Sequence, residues 1–300
     1  MRSCCVLCCL CLSLGALLVS SQTQATPFCF AGLPMTQVNG LKLGADPTVF
    51  TSLPLSHHKP RFLHLLLPEG EADTRRARQA VLSSLKAGRH GFEWHSQAFD
   101  RYQRPLGHLT TQQIWLQKAW VTQGAFRVLP GMVASKVGAA QELACLAELF
   151  QAEMDAVAAR RGLWSEAGHV LLAAQDIEAL EKHVASFVLV EGRVQGVGRA
   201  GARHFINFGE DWRSDFTVVV PQSVLAAWPQ DLHHPGFLQG QAFSALIGQK
   251  LRVRGWLTSY RGPEVIIDDL SQLEVVSAPS GEALEKLTPV GIKGMAEDLP

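Results

Sequence analysis

The stretch Asp100-Arg101-Tyr102-Gln103-Arg104-Pro105-Leu106-Gly107 decides the fold of this chain. It predicts a basic turn that leads into a strand over residues 104–110. Apolar residues at three- and four-residue spacing then predict helices over residues 114–123 and 139–161. The second helix meets Gly162-Leu163-Trp164, where the glycine stops the helix and the tryptophan can fold back onto the core.

Strands dominate on both sides of this segment. Upstream, residues 26–68 are typical of short strands, with a turn-prone Asn39-Gly40, and residues 69–86 predict a helix with an acidic first turn. Downstream, a helical insert is expected at 242–247, and strands are expected at 187–195, 202–209, 216–221, 250–259, 263–267 and 272–276. About five strands with one inserted helix fit a small Greek-key barrel of the OB type.

Composition excludes some function classes. The chain has 300 residues, which suggests about two domains, and its 47% hydrophobic and 18% charged content is that of folded protein over most of its length. The formal net charge is zero, so no whole-surface field gathers nucleic acid and any such site must be a local patch.

The N-terminus has the pattern of a secretory signal. Met1-Arg2 supplies a positive charge, residues 4–19 are apolar, and Thr23-Gln24-Ala25 offers a cleavage point, so residues 1–25 are expected to be removed on export to the periplasm or medium. A retained N-terminal anchor is the alternative, because the apolar run is just short of a membrane span of ~17–25 residues. No later segment predicts a transmembrane span.

Two of the seven cysteines, Cys29 and Cys145, lie outside this signal. In an exported protein an even pair forms a disulfide or stays as two separate buried thiols, and the sequence leaves both open. Their isolated positions lack the C-x₂-C character of a metal site.

Residues 35–165 resemble the thermonuclease-like (staphylococcal nuclease-like) family, on the strength of the Asp100–Gly107 stretch and the Gly162-Leu163-Trp164 helix end. The later strands resemble an extension found on some bacterial members, through the segments 190–194, 205–209, 211–216 and 252–256. The resemblance implies a mainly β fold with α-helices (α+β), built as two small OB-type barrels. The implied domains are 26–165 and 184–276, with a linker at 166–183 and a loose tail at 277–300.

Active members of that family cleave phosphodiester bonds with one calcium ion, a carboxylate cluster and two arginines. Calcium needs six to eight oxygen ligands, a glutamate activates water, and the arginines neutralise charge on the phosphoryl group. Here the turn that matches the ligand-bearing one is Val38-Asn39-Gly40-Leu41-Lys42, with Leu41 at a ligand position. In the later run, the family's arginine, aspartate and glutamate positions hold Phe50, Leu55, and His57 or His58.

A single acid, Asp46, lies between residues 26 and 68. One carboxylate cannot make a calcium site, so the sequence predicts no metal and no cofactor, and the family's calcium is not supported. Arg104 persists in the match to the family's basic turn. By itself it can contact a phosphate, or it can be an ion-paired arginine beside Asp100.

Histidine is a possible replacement ligand. His57-His58, with His64 and His95 nearby in sequence, offers imidazoles to zinc, copper or nickel. Neighbours on a strand point to opposite faces, so His57 and His58 are expected to be a surface loop pair. His233-His234 is a weaker candidate.

The later strands offer a nucleic-acid site. Alternation places Arg252, Arg254 and Trp256 on one face, and Arg203 and Phe205 alternate in the same way. Arginine beside exposed aromatic rings is how OB barrels hold single strands. In the alternative arrangement, Trp256 packs against the first domain and the arginines pair with acids, Glu264 and Asp268.

Three functional hypotheses follow. The first is an exported thermonuclease-like homologue that has lost cleavage and binds single-stranded nucleic acid, a phosphate ligand or an envelope protein. The second is an active phosphodiesterase with a replaced metal site. The third is an envelope protein whose two domains serve assembly.

Overall fold

The computed structural model describes residues 29–55, 59–88, 91–112, 114–131, 139–166, 168–227 and 243–277. Over these ranges the chain is a mixed α+β protein, mostly β, with two sheets and few helices, which confirms the predicted class. The signal (1–25), nearly all of the predicted tail (277–300), His57-His58 and His233-His234 lie outside them. None of the described helices has both the length and the apolar character needed to cross a membrane.

The first sheet contains six strands and runs in the order β2-β1-β4-β5-β3, with β6 paired to β5. Three helices accompany it, and α3 carries the predicted apolar side, with Leu143, Leu146 and Leu149 fully buried. The elements are β1 (Met35–Leu43), β2 (Phe50–Leu53), β3 (Arg61–Phe62), α1 (Gly70–Ala87), β4 (Phe92–Phe99), β5 (Pro105–Thr111), β6 (Ile114–Trp115), α2 (Leu116–Thr122) and α3 (Ala139–Ala158).

The glycine stop after α3 is built on a close backbone crossing. Gly162 has φ +55°, and an added Cβ there would lie 2.2 Å from the carbonyl oxygen of Gly124. Only glycine tolerates both conditions. Leu163 donates its backbone N–H to Gly124, and Leu163 and Trp164 are buried, as the sequence predicts.

The predicted turn at Asn39-Gly40 is wrong. Gly40 takes a left-handed φ of +60° inside β1, where the pairing with β2 shifts register between Asn39 and Lys42. Gly40 therefore makes an irregularity within the strand and not a hairpin turn. The chain reverses its direction later, between Gly44 and Val49. Asp46 stabilises the later turn by accepting hydrogen bonds from the N–H and hydroxyl of Thr48 at 2.7 and 2.6 Å.

The second sheet contains eight strands in the order β7-β8-β12-β13-β11-β10-β9, with β14 also paired to β12. Both sheets have open strand orders, so closed barrels are not confirmed. The strands β7 and β9 and the helix α5 were not predicted, and the insert near residue 243 is a single 3₁₀ turn, Phe243–Leu246. The elements are β7 (Leu171–Ala173), α4 (Ile177–Glu181), β8 (Phe187–Arg193), β9 (Gly196–Ala200), β10 (Arg203–Asn207), β11 (Thr217–Pro221), α5 (Gln222–Ala227), β12 (Lys250–Ser259), β13 (Pro263–Ile266) and β14 (Leu273–Ser277).

Cys29 and Cys145 are joined in a disulfide that ties the N-terminal segment to α3. The neighbouring Phe30 is fully buried and stacks on His108, with ring centres 4.5 Å apart. The bridge therefore fixes an aromatic ring over the middle of β5.

Candidate functional site

Arg104 lies in the turn between β4 and β5, where Asp100 fixes it. Its Nε donates to Oδ2 of Asp100 at 2.6 Å, and the backbone N–H groups of Tyr102 and Arg104 donate to Oδ1 at 2.8 and 2.9 Å. Partial desolvation raises the pKa of the Asp100 carboxyl, but these bonds and the guanidinium charge outweigh it, so its pKa lies below the usual value. The arginine is thus ion-paired, as one of the two sequence interpretations has it.

The carboxylates needed for a calcium cage do not surround Arg104 in the described residues. Within those residues, one group of acids and histidines has three metal-ligating atoms mutually within 4.8 Å, namely Asp73, Glu166 and His169. Arg76 forms ion pairs with both acids of that group, and Asp73 contacts Nε2 of His169 at 2.8 Å. The cluster is therefore charge-compensated by the protein itself.

Arg252 and Arg254 do not lie on an exposed strand face, contrary to the sequence expectation. Arg254 is fully buried, with its guanidinium 3.5 Å from the ring centre of Phe150 on α3 and 2.8 Å from both Glu153 and Glu274. Arg252 pairs with Glu274 at 2.9 Å and with a third acid, Glu191.

The physical reason is that β12 has paired neighbours on both sides and α3 lies over one of its faces, so alternation along this strand does not separate core from solvent. The alternative partners, Glu264 and Asp268, are not the ones found. Trp256 lies on the same strand, packs edge-on against Phe187 with ring centres 6.0 Å apart, and remains 51% exposed.

An aromatic pocket lies on the second sheet, at Phe205. Register places Phe205 of β10 opposite Val219 of β11, and Val219 opposite Ile266 of β13, so these side chains form a row across one sheet face. The loop before β11 and the β12–β13 turn border this face and contribute rings and an arginine. The pocket is lined by Phe205, Asn207, Trp212, Asp215, Thr217, Tyr260, Arg261, Gly262, Pro263 and Glu264.

The chemistry of this pocket suits a flat ring. Its walls are mostly aromatic and apolar, whereas Asn207, Thr217 and Glu264 supply hydrogen-bonding groups on one side. Desolvation raises the pKa of the Glu264 carboxyl, opposed by a hydrogen bond from Thr258 and the positive charge of Arg203. Arg203 is exposed beside Phe205 on β10, as predicted, whereas the sequence did not reveal Trp212, Tyr260 or Arg261 as parts of the pocket.

A second feature is a buried polar cluster beside the first sheet. His64 is fully buried, with its Nε2 3.9 Å from Oε1 of Glu142 on α3. Its ring centre lies 6.0 Å from that of His108, whose Nε2 is 3.0 Å from Oε1 of Gln97. His64 also lines a partly open cavity of about 140 Å³, with Arg61 and other residues of β3 and β5.

Burial controls protonation in this cluster. Desolvation lowers the pKa of His64 to about 3, although the nearby Leu129 backbone raises that pKa by a smaller amount. Desolvation, with the negative charge of Asp269 added, raises the pKa of Glu142 to about 8, although a hydrogen bond from Gln97 opposes it. Both groups are therefore neutral from about pH 4 to pH 7. His64 also has φ +62°, an unfavourable value for a side-chain-bearing residue.

These shifts predict an alkaline loss of stability. Glu142 binds its proton more tightly in the folded chain than in the unfolded chain, so the free energy of unfolding falls as pH rises from about 4.5 to 8. His64 binds its proton less tightly in the folded chain, so the free energy of unfolding falls as pH drops from about 6.5 to 3. Of these two groups, only Glu142 contributes to the pH dependence between pH 6.5 and 8. At about 1.4 kcal/mol per pH unit, the chain should lose roughly 2 kcal/mol more over that window than its Glu142→Gln variant.

Urea unfolding at each pH, with a chelator present to remove metal ions, measures this difference. A Gln151→Glu variant on the exposed side of the same helix serves as the control and should follow the parent curve. Parallel curves for the parent chain and Glu142→Gln would show that Glu142 is not held neutral.

No protein-family model and no curated protein sequence matches this chain.

Proposed function

We propose that this chain is an exported thermonuclease-like homologue that has lost calcium-dependent cleavage and binds single-stranded nucleic acid on its second sheet. The aromatic pocket at Phe205 carries the proposal. Trp212 and Tyr260 lie in the same pocket, and Arg203 adds a cation at its edge. Rings and arginines together hold unpaired bases and the phosphate backbone in single-strand binding proteins.

The loss of cleavage is supported by the surroundings of Arg104. Asp100 is its ion-pair partner, and no second carboxylate pairs with Arg104 in the part of the chain that the structure describes. One carboxylate does not supply the six or more oxygens that calcium requires. Without that ion, the charge stabilisation that dominates phosphodiester hydrolysis is missing.

The same proposal extends to the architecture and to the location. Each sheet would correspond to one OB-type barrel with its edges held by loops, and the chain would act in the periplasm or outside the cell. A disulfide between Cys29 and Cys145 supports an oxidising compartment. A protein of the cell envelope stays the alternative partner, since the net charge of zero gives no general attraction to nucleic acid.

Substituting the pocket rings tests the site. Phe205→Ala and Trp212→Ala should each weaken binding of a single-stranded oligonucleotide roughly tenfold, because each stacked base contributes about 1–3 kcal/mol. The measurement is fluorescence anisotropy of a labelled oligothymidylate at two salt concentrations. Affinity should also fall with salt, since phosphate contacts release counterions.

Phe99→Ala is the matched control, because Phe99 is an exposed aromatic residue of β4 in the first sheet and does not line the pocket. It should bind like the parent chain. Unchanged affinity in both pocket variants, or an equal loss in Phe99→Ala, would contradict the assignment of the site to the pocket.

A further inference from the structure

The buried cluster beside the first sheet leaves four ligand-type atoms without hydrogen-bond partners among the described residues. They are both ring nitrogens of His64, Nδ1 of His108 and Oε1 of Glu142, although the Leu129 backbone lies close enough to the His64 ring to raise its pKa slightly. Both histidine side chains are fully buried, and an unsatisfied buried polar group costs about 1–3 kcal/mol. Four such atoms on three neighbouring side chains point to a bound species that would satisfy them.

The three side chains can converge on one metal ion only after a side-chain movement, because among the described residues Asp73, Glu166 and His169 are the group whose ligand atoms already lie within 4.8 Å of one another. His64 Nε2 and Glu142 Oε1 are 3.9 Å apart, close to the separation of two ligands on one tetrahedral ion, and the two imidazole ring centres are 6.0 Å apart. Zinc–nitrogen bonds of about 2.0–2.1 Å place two bound rings roughly 5 Å apart, so the His108 ring has to move toward His64 to complete the set.

Gln97 orients the second histidine for this role. It lies 3.0 Å from Nε2 of His108, so a His108 N–H donated to the Gln97 side-chain oxygen leaves Nδ1 as the free electron-pair donor. Histidine ligands are held in this way, by a hydrogen bond from the ring nitrogen that does not bind metal. Gln97 also donates to Glu142, so one side chain orients two of the three ligands.

We propose that His64, His108 and Glu142 bind a divalent transition-metal ion, with zinc the best fit, and that the adjoining cavity supplies the open coordination position. Two imidazoles and one carboxylate form a ligand set of catalytic zinc sites, which keep a fourth position for water or substrate. The nearby negative charge of Asp269 favours a divalent cation further. Of the three ligands, His64 is the one that lines the adjoining cavity, so we expect the ion to enter from that side.

The Asp73, Glu166 and His169 cluster is the competing position. Its ligand atoms already lie within 4.8 Å of one another, but Arg76 is paired with both carboxylates. A cation in that cluster would have to displace the guanidinium of Arg76, whereas a cation at His64 would bind side-chain atoms that lack hydrogen-bond partners. The inference is independent of the proposed nucleic-acid pocket, which shares none of these residues.

Cobalt(II) is the probe, because a tetrahedral ion with nitrogen and oxygen ligands gives visible absorption bands. Titration of the full, disulfide-bonded chain should give these bands at one equivalent, and zinc should abolish them. Cobalt bound to cysteine thiolates near the N-terminus would also absorb in the near ultraviolet, so its spectrum can be distinguished from that of cobalt bound to nitrogen and oxygen. His64→Gln and Glu142→Gln should each weaken cobalt binding at least tenfold, and Asp73→Asn should bind like the parent chain.

Near-ultraviolet circular dichroism establishes that each variant is folded. If His64→Gln fails to fold, Glu142→Gln, which keeps the side-chain shape, decides the outcome. No visible band in the parent chain, equal affinity in Glu142→Gln, or loss of the band in Asp73→Asn would each overturn the proposal. Oligonucleotide affinity measured on the same variants should not change, so the failure of one site is distinguishable from the failure of the other.

Discussion

Removing the disulfide with a Cys29→Ala, Cys145→Ala double substitution should lower the free energy of unfolding by about 4–5 kcal/mol. The bridge joins residues 116 positions apart, and in the chain-entropy model a loop of that length greatly restricts the unfolded chain. It also holds Phe30 against the ring of His108. Urea unfolding of the oxidised parent chain and of the double variant gives the difference directly.

The reduced parent chain is the natural control, because it keeps both sulfur atoms and loses only the covalent link. It should unfold close to the double variant. A difference below about 1 kcal/mol between oxidised and reduced chain would show that Cys29 and Cys145 are not joined, or that the unfolded chain is already compact.

Arg254→Ala should cost about 3–5 kcal/mol, because it leaves Glu153 buried without its ion-pair partner and leaves Glu274 paired with Arg252 alone. Glu153 and Glu274 both accept from this arginine at 2.8 Å, and its guanidinium lies on the Phe150 ring. The same ion pairs connect α3 to β12 and β14. Chemical unfolding measures the loss, and a single transition should remain if the two sheets unfold together.

Arg75→Ala is the matched control, since Arg75 forms an exposed ion pair with Glu71 one turn away on α1. Exposed pairs of this kind contribute at most about 0.5 kcal/mol. A cost for Arg254→Ala as small as that of Arg75→Ala would mean that the acids near Arg254 are solvated. An Arg254→Met, Glu153→Leu pair should lose less than Arg254→Ala, because it leaves one fewer buried charge unpaired.

Local patterns predicted the helices α1, α2 and α3 and many of the strands. Helix α1 was expected over residues 69–86 from its acidic first turn, and it spans Gly70–Ala87. The end of α3 near Gly162 was expected because a glycine commonly stops a helix. The close backbone crossing with Gly124 explains why the residue at this position is a glycine. Both predictions rest on residues that are neighbours in sequence, whereas the contact with Gly124 is distant in sequence and could not be predicted.

Prediction failed where distant contacts decide. Alternation along β12 could not show that α3 covers that strand, so Arg254 was expected outside and is inside. His64, just after β3, lies next to Glu142 of α3. No spacing pattern in the sequence predicts that these two residues meet. The Asn39-Gly40 dipeptide has the composition of a turn, but pairing of β1 on both sides makes it a strand irregularity.

We expect this scaffold to hold single strands without cutting them. A labelled single-stranded oligonucleotide incubated with the chain in calcium allows bound label and acid-soluble label to be counted in one tube. We expect anisotropy to rise in a salt-sensitive way while no acid-soluble label forms. Calcium-dependent release of soluble label, abolished by Arg104→Ala, would contradict the account.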